Sequence, residues 1–350
     1  MTFIAFLRHL LFCAGLAGVS ALVVRAAIDA RVMDRPNARS AHTRPTPKGG
    51  GIGVVVAFML GIAVLYGFAD FSRIAEPYFR GVILAAFAIA VVSFLDDLKD
   101  WPFSVKLATQ VLAAGAAIAS GLYVSDINMP FWGSVSLGWF GPVATLCWIL
   151  FATNAMNFID GLNGLTAGVS LIAALFLAYI AETQAAWFVY FASLVLAAGL
   201  IGFLPFNFPR ARIFLGDVGS QFCGFVLAML GVAAARFGKV EMSLLLVPML
   251  LNGVLFDVAF TLVRRLFNGD RITQGHRSHL YQIAHRSGMD ARWIVVVHWG
   301  FAALGGCVAI GFVAAPSVLK PALPLLLLFP QMIWLSYVLL RSRRAEIGAW

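Results

Sequence analysis

Apolar residues run almost without interruption through most of this chain, and the polar positions gather in short clusters between the runs. An α-helix needs roughly 20 predominantly apolar residues to cross a bilayer. On that measure the pattern predicts about eleven spans (ten or eleven), near residues 3–25, 50–70, 80–97, 104–124, 140–158, 161–182, 185–205, 214–236, 242–263, 292–315 and 319–340. The expected fold is therefore all-α, a polytopic integral membrane protein, and not a β-barrel. The first run lacks a clear small-residue cleavage site and is followed by further spans, so it reads as a retained helix. With no internal repeat and no low-complexity linker, residues 1–350 are expected to form a single membrane-embedded domain.

Composition agrees. The chain is 61% hydrophobic and 12% charged, with a mean hydropathy of +0.90, values that exclude an ordinary soluble domain. Its four cysteines, Cys13, Cys147, Cys223 and Cys307, all fall inside apolar runs. They imply no disulfide framework and read as small core residues. A net charge of +9 would suggest a nucleic-acid partner in a soluble protein, but here it sorts by side. With the N-terminus outside, 19 of the 25 Lys and Arg residues fall inward and six outward. That is the asymmetry of a cytoplasmic face. It predicts a cytoplasmic C-terminus and leaves no need for nucleic acid.

The same assignment puts every polar motif at an inner helix end. Three carboxylates, Asp96, Asp97 and Asp100, end an apolar run. Adjacent like charges there are costly unless a cation or a magnesium-bound phosphate sits opposite, although a solvated helix end has the same look. Lys106 and Gln110 follow on one helix face, Lys106 either neutralising a substrate phosphate or snorkelling to the interface. In the first inner loop, Arg44 and Lys48 precede Gly49-Gly50-Gly51. Basic groups beside a glycine-rich helix start either cradle a phosphate or touch acidic headgroups. Asn154, Asn157, Asp160, Gly161, Leu162 and Asn163 mark a turn whose amides and carboxylate suit a nucleobase or sugar, or else cap helices. Asn207 and Phe214 bracket the next inner turn, and Phe214 offers a ring for stacking. Asp217 lies just inside a span, where a carboxylate is functional by default and Mg²⁺ is its natural partner. In the last inner loop His276, Arg277 and His279 suit pyrophosphate better than zinc, because no cysteine pair accompanies them.

Together these motifs resemble the polyprenyl-phosphate N-acetylhexosamine-1-phosphate transferases, a family that includes the phospho-N-acetylmuramoyl-pentapeptide transferases. The resemblance covers roughly Asp34 to Gly288 and rests on five motifs in the family's order. It implies transfer of a sugar 1-phosphate from a UDP-sugar to undecaprenyl phosphate at the cytoplasmic face of the bacterial inner membrane, with Mg²⁺ (Mn²⁺ as the alternative ion) and release of UMP. It further implies Asp217 as the metal ligand and Asp96 and Asp97 as the catalytic acidic pair, with Asp96 as base or nucleophile. Asp160, Gly161, Leu162, Asn207 and Phe214 would form the nucleoside pocket. His276 and His279 would form the histidine cluster, and Lys106 would meet phosphate. A homodimer is the expected assembly.

Three departures bear on the substrate. Asn163 stands where many relatives have a second aspartate. The cluster His276-Arg277-Ser278-His279 is sparser than the usual run, which argues against a muropeptide donor. The Arg39-to-Gly51 loop looks closer to the surface-polysaccharide branch. From another class, the rival is a secondary transporter of an anionic solute. Transporters place their charges near the midplane, often in repeated halves, and neither feature is found here.

Overall fold

A computed structural model describes residues 3–34, 45–68, 76–99, 101–129, 133–237, 243–270 and 276–347. The apolar runs fold as helices α1 (Phe3–Ala30), α2 (Gly51–Phe68), α3 (Pro77–Lys99), α4 (Phe103–Ala119), α5 (Phe140–Phe158), α6 (Leu165–Thr183), α7 (Trp187–Asn207), α8 (Gly216–Phe237), α9 (Leu246–Leu250), α10 (Asn252–Phe267), α11 (Leu280–Arg286), α12 (Ala291–Ala314), α13 (Ala322–Leu325) and α14 (Leu328–Arg344). Two antiparallel strand pairs complete the described residues: β1 (Met33–Asp34) with β2 (Thr46–Pro47), and β3 (Asp126–Met129) with β4 (Gly133–Ser136).

The protein is an all-α, multi-pass membrane protein. Among the described residues, eight helical segments are long and apolar enough to cross a bilayer, the last running Ala322–Arg344 across α13 and α14. The three other expected spans fall on α4, α5 and the pair α9–α10. That pair is one predicted span broken in two at Leu251. The break frees backbone carbonyls, which lipid cannot satisfy. Asn252 supplies the missing donor, bonding Met249 O at 2.8 Å and Phe301 O at 2.7 Å, and Gln331 of α14 donates to its carbonyl at 2.6 Å.

Helix α8 is the axis of the fold. Its most apolar window is 94% buried, against 17% for α1, and it packs on α5, α3 and α2. Close approach rests on small residues, as helix contacts in lipid require. Gly224 of α8 faces Thr153 and Met156 of α5. Ala173, Ala174 and Ala178 of α6, like Ala192, Ala197 and Ala198 of α7, are buried in the same core. At one end of α8, Arg236 bonds Ser125 beside the β3–β4 hairpin. At the other end Asp217 opens the helix, and there the polar motifs of five separate loops converge.

Candidate active site

The convergence begins with the start of α8. The first N–H groups of a helix have no partner within it, and here the acceptor comes from a helix distant in sequence. Asp97, at the end of α3, accepts from the backbone N–H of Asp217 at 3.2 Å and of Val218 at 3.1 Å. Gly216 permits the approach. Its φ is +76°, where a side chain is strained, and a Cβ there would stand 2.7 Å from Asp97 Oδ2.

Beside this cap lies a bridged pair of carboxylates. Lys106 Nζ, from α4, is 2.6 Å from Asp96 Oδ2 and 2.8 Å from Asp217 Oδ2. Asp96 also accepts from Trp101 N at 2.8 Å. Asp217 receives Asn157 Nδ2 at 3.0 Å and Gln221 Nε2 at 3.1 Å. A carboxylate that reads in sequence as isolated within a span is thus among the most heavily bonded groups of the site. Gln110 extends the network, donating to Gln221 at 2.9 Å and accepting from Asn154 at 2.6 Å.

These groups open onto a cleft of about 480 Å³, within the usual range of small-molecule sites. One wall is acidic and amidic, formed by Asp97, Asp160, Asp217, Asn157 and Asn163. Gly161, Leu162, Asn207, Phe214 and Gly216 continue it, and Asp34 and Lys48 enter from the first inner loop. A basic wall is formed by Arg277, Tyr281, Gln282, His285 and Arg286. Asn207 shapes the floor, accepting from Gly164 N at 2.6 Å and donating to Ile213 O at 2.9 Å. The first loop is laced to the same floor by Phe214 N to Pro47 O and Gly50 N to Phe214 O, both 2.8 Å. Tyr281 Oη reaches Phe158 O at 3.1 Å, and a Cβ at Gly161 would collide with that hydroxyl.

Not every residue marked in the sequence lines this cleft. Asp96 and Lys106 lie behind it, next to Asp217. His279 is buried, its Nδ1 3.1 Å from Asp257 Oδ1, and Asp257 also accepts from Leu280 N and Tyr281 N at 2.9 and 3.0 Å. Both groups therefore brace the start of α11. His276 faces a neighbouring cavity, and Arg44 lies outside the described residues. Conversely, Tyr281, Gln282, His285 and Arg286 line the cleft without having been marked. Their signal is periodic: Tyr281 with His285 and Gln282 with Arg286 are each four apart, one face of a short helix.

A divalent cation fits the acidic wall. Among the described residues no cluster of three or more His, Cys, Asp or Glu forms a ready-made metal cage. Mg²⁺, however, is commonly held by one or two carboxylates with substrate phosphates and water completing its shell. The Lys106 ammonium between Asp96 and Asp217 shows that the pair accepts a cation.

Asp160 is tuned differently. Burial pushes its carboxyl well above the usual carboxylate range, and the charges of Asp217 and Asp97 add to the effect. The unfolded chain releases this proton near pH 3.9 while the folded chain keeps it, so stability falls as pH rises above about 4 until the folded-state pKa is reached. Asp160→Asn removes the titration. Its thermal midpoint should match that of the parent near pH 4 and exceed it increasingly toward neutral pH. A midpoint difference that does not vary with pH would contradict this assignment.

A multi-pass helical protein with a carboxylate-lined cleft at one end of its bundle is the class that fold and site define. The glycosyl transferase family 4 profile matches residues 79–235. The "Probable undecaprenyl-phosphate N-acetylglucosaminyl 1-phosphate transferase" of Bacillus subtilis is 30% identical over 327 residues, covering 91% of this chain and 87% of the relative. A decaprenyl-phosphate N-acetylglucosaminephosphotransferase of Mycobacterium tuberculosis is 30% identical over 304 residues (79% and 75%). A phospho-N-acetylmuramoyl-pentapeptide-transferase of Acetivibrio thermocellus is 32% identical over 273 residues (73% and 77%). The chain belongs to glycosyl transferase family 4, the polyprenyl-phosphate N-acetylhexosamine-1-phosphate transferases.

Proposed function

We propose that this protein transfers an N-acetylhexosamine 1-phosphate from a UDP-sugar to undecaprenyl phosphate, releasing UMP, and so begins a lipid-linked surface glycan. The observation that supports this most directly is the meeting, in one cleft, of an acidic wall bearing Asp97, Asp160 and Asp217 with a basic wall bearing Arg277 and Arg286. Two phosphates and a cation are what such a pair of walls accommodates. The site belongs at the cytoplasmic face of a bacterial inner membrane, with the C-terminus inside, because 19 of the 25 basic residues fall on that side.

In this reading Asp217, with the acidic pair beside it, would hold Mg²⁺, which when bound would supply positive charge against the pyrophosphate and the departing UMP. Arg277, Arg286 and Lys48 orient the phosphates. Asn157, Asn163, Asp160 and Phe214 receive the nucleoside, with Phe214 offering its ring and Asp160, in its neutral form, a donor proton. Asp96 or Asp97 takes the proton of the acceptor phosphate, whose oxygen then attacks the sugar-bearing phosphorus in line. Positioning and charge do most of the work in such phosphoryl transfers.

The test is incubation of purified protein with undecaprenyl phosphate, Mg²⁺ and a panel of UDP-sugars, reading the lipid product by mass. A lipid-linked N-acetylhexosamine with equimolar UMP is expected. Product only from UDP-N-acetylmuramoyl-pentapeptide would move the chain to the peptidoglycan branch. Solute uptake by intact vesicles with no lipid product would overturn the reaction itself.

A further inference from the structure

Behind the basic wall lies a second cavity, of about 370 Å³. Four arginines line it, Arg264, Arg265, Arg277 and Arg286, together with His276, and Asp270 is the one carboxylate among its described lining residues. Such a gathering of like charges needs a reason. Arg264 and Arg265 end α10, where the helix dipole favours cations. That accounts for two arginines at the helix end, but not for the two that come to meet them from outside α10.

The guanidinium groups are held against backbone. Arg264 Nη2 donates to Ser278 O at 3.4 Å and Arg286 Nη1 to Arg277 O at 3.2 Å. Arg265 is 8% exposed and meets Asp270 at 3.6 Å, beyond an ideal charge-assisted bond. His276 reports the resulting environment. Burial, then His279, Arg265 and Arg264, push its pKa down to about 4, so it is neutral at physiological pH and adds no charge of its own.

We propose that this cavity is a phosphate-binding site separate from the catalytic cleft, and that its occupant holds Arg277 and Arg286 in their working positions. Planar guanidinium forks match phosphate oxygens. The coupling follows from shared residues, because Arg277 and Arg286 line both cavities; it rests on the transferase reading, whereas the binding site does not. The ligand chemistry is an anionic phosphate ester, with two sources: an acidic phospholipid headgroup or a free phosphate. Leu266 and Phe267, directly after the two α10 arginines, are exposed. Apolar side chains in that position mark the bilayer boundary beside the cavity, and basic pockets at that level take headgroups.

The test uses the full chain in phosphatidylcholine vesicles, with and without phosphatidylglycerol, and separately with inorganic phosphate. Retention of phosphatidylglycerol is read by native mass spectrometry, and KM for the nucleotide sugar by assay. The double variant Arg264→Gln/Arg265→Gln, neither member of which lines the cleft, should bind phosphatidylglycerol about thirtyfold more weakly, the worth of two arginines toward an anionic headgroup. Asp270→Asn, an exposed change that leaves the arginines in place, should bind about fivefold more tightly, so the site stays testable even where the double variant fails to fold. Inorganic phosphate that reproduces the effect in phosphatidylcholine alone would assign the site to a free phosphate, and failure to do so would assign it to the headgroup. Affinity unchanged in both variants, for lipid and for inorganic phosphate, would overturn the site and leave the transferase reading intact. A KM that does not respond to occupancy in the parent protein would overturn the coupling. Absence of transfer with binding retained would count against the transferase reading alone.

Discussion

Asp217→Asn should lower turnover at least about a thousandfold while the protein stays folded. The substitution removes one negative charge with little change of volume. A metal's stabilisation of developing charge is worth several kcal/mol, and each 1.36 kcal/mol is a factor of ten. The fold survives because the amide oxygen still accepts at one of the two positions, that of Oδ1 reached by Asn157 or that of Oδ2 reached by Gln221, and because Lys106 keeps Asp96 as its partner at 2.6 Å. Initial rates across a Mg²⁺ series, beside thermal unfolding in detergent, check both halves. Partial recovery at high Mg²⁺ is expected; near-parental turnover at low Mg²⁺ would exclude Asp217 as the main ligand.

The second large effect is expected at Lys106. Both carboxylate oxygens contact one ammonium, at 2.6 and 2.8 Å, so they lie no more than about 5.4 Å apart. Without the ammonium, two charges at that distance repel by about 3 kcal/mol at an effective dielectric constant near 20. Lys106→Met should therefore lower the thermal midpoint in metal-free buffer by several degrees. Added Mg²⁺ should then raise it more than in the parent protein, because the ion takes up a role the lysine no longer fills. Turnover should fall by about a hundredfold or more through loss of a charged contact near the reacting phosphates. A midpoint and a Mg²⁺ response equal to those of the parent would show that Lys106 merely snorkels to the interface.

Much of the architecture is legible in the sequence because lipid enforces it. Each predicted span is helical, one of them in two pieces, since an apolar run of this length outside a closed barrel satisfies its backbone in hydrocarbon only as helix, and the polar clusters share one face as the basic residues foretell. What eludes sequence reading is pairing across distance. Nothing near Asp97 announces that it caps a helix 120 residues on, or near Lys106 that its partner is Asp217. His279 is marked in the sequence as part of a phosphate-binding cluster, yet nothing there announces its pairing with Asp257 or that the two brace the start of α11. The interruption at Leu251 is likewise hidden, because the run remains apolar through it. Its traces are Pro248 and Gly253 on either side and Asn252, an amide with no evident purpose until the freed carbonyls are seen.

The buried α8 also decides sidedness. Below Asp217 and Gln221 its following turns present Phe222, Phe225 and Met229, all fully buried, and Asp97 fastens its upper end to α3. A sugar joined to its lipid here stays on the face where it was made, because a charged pyrophosphate headgroup does not cross hydrocarbon unaided. On the proposed reading, export of the growing glycan would then fall to separate machinery that recognises the headgroup and carries it across.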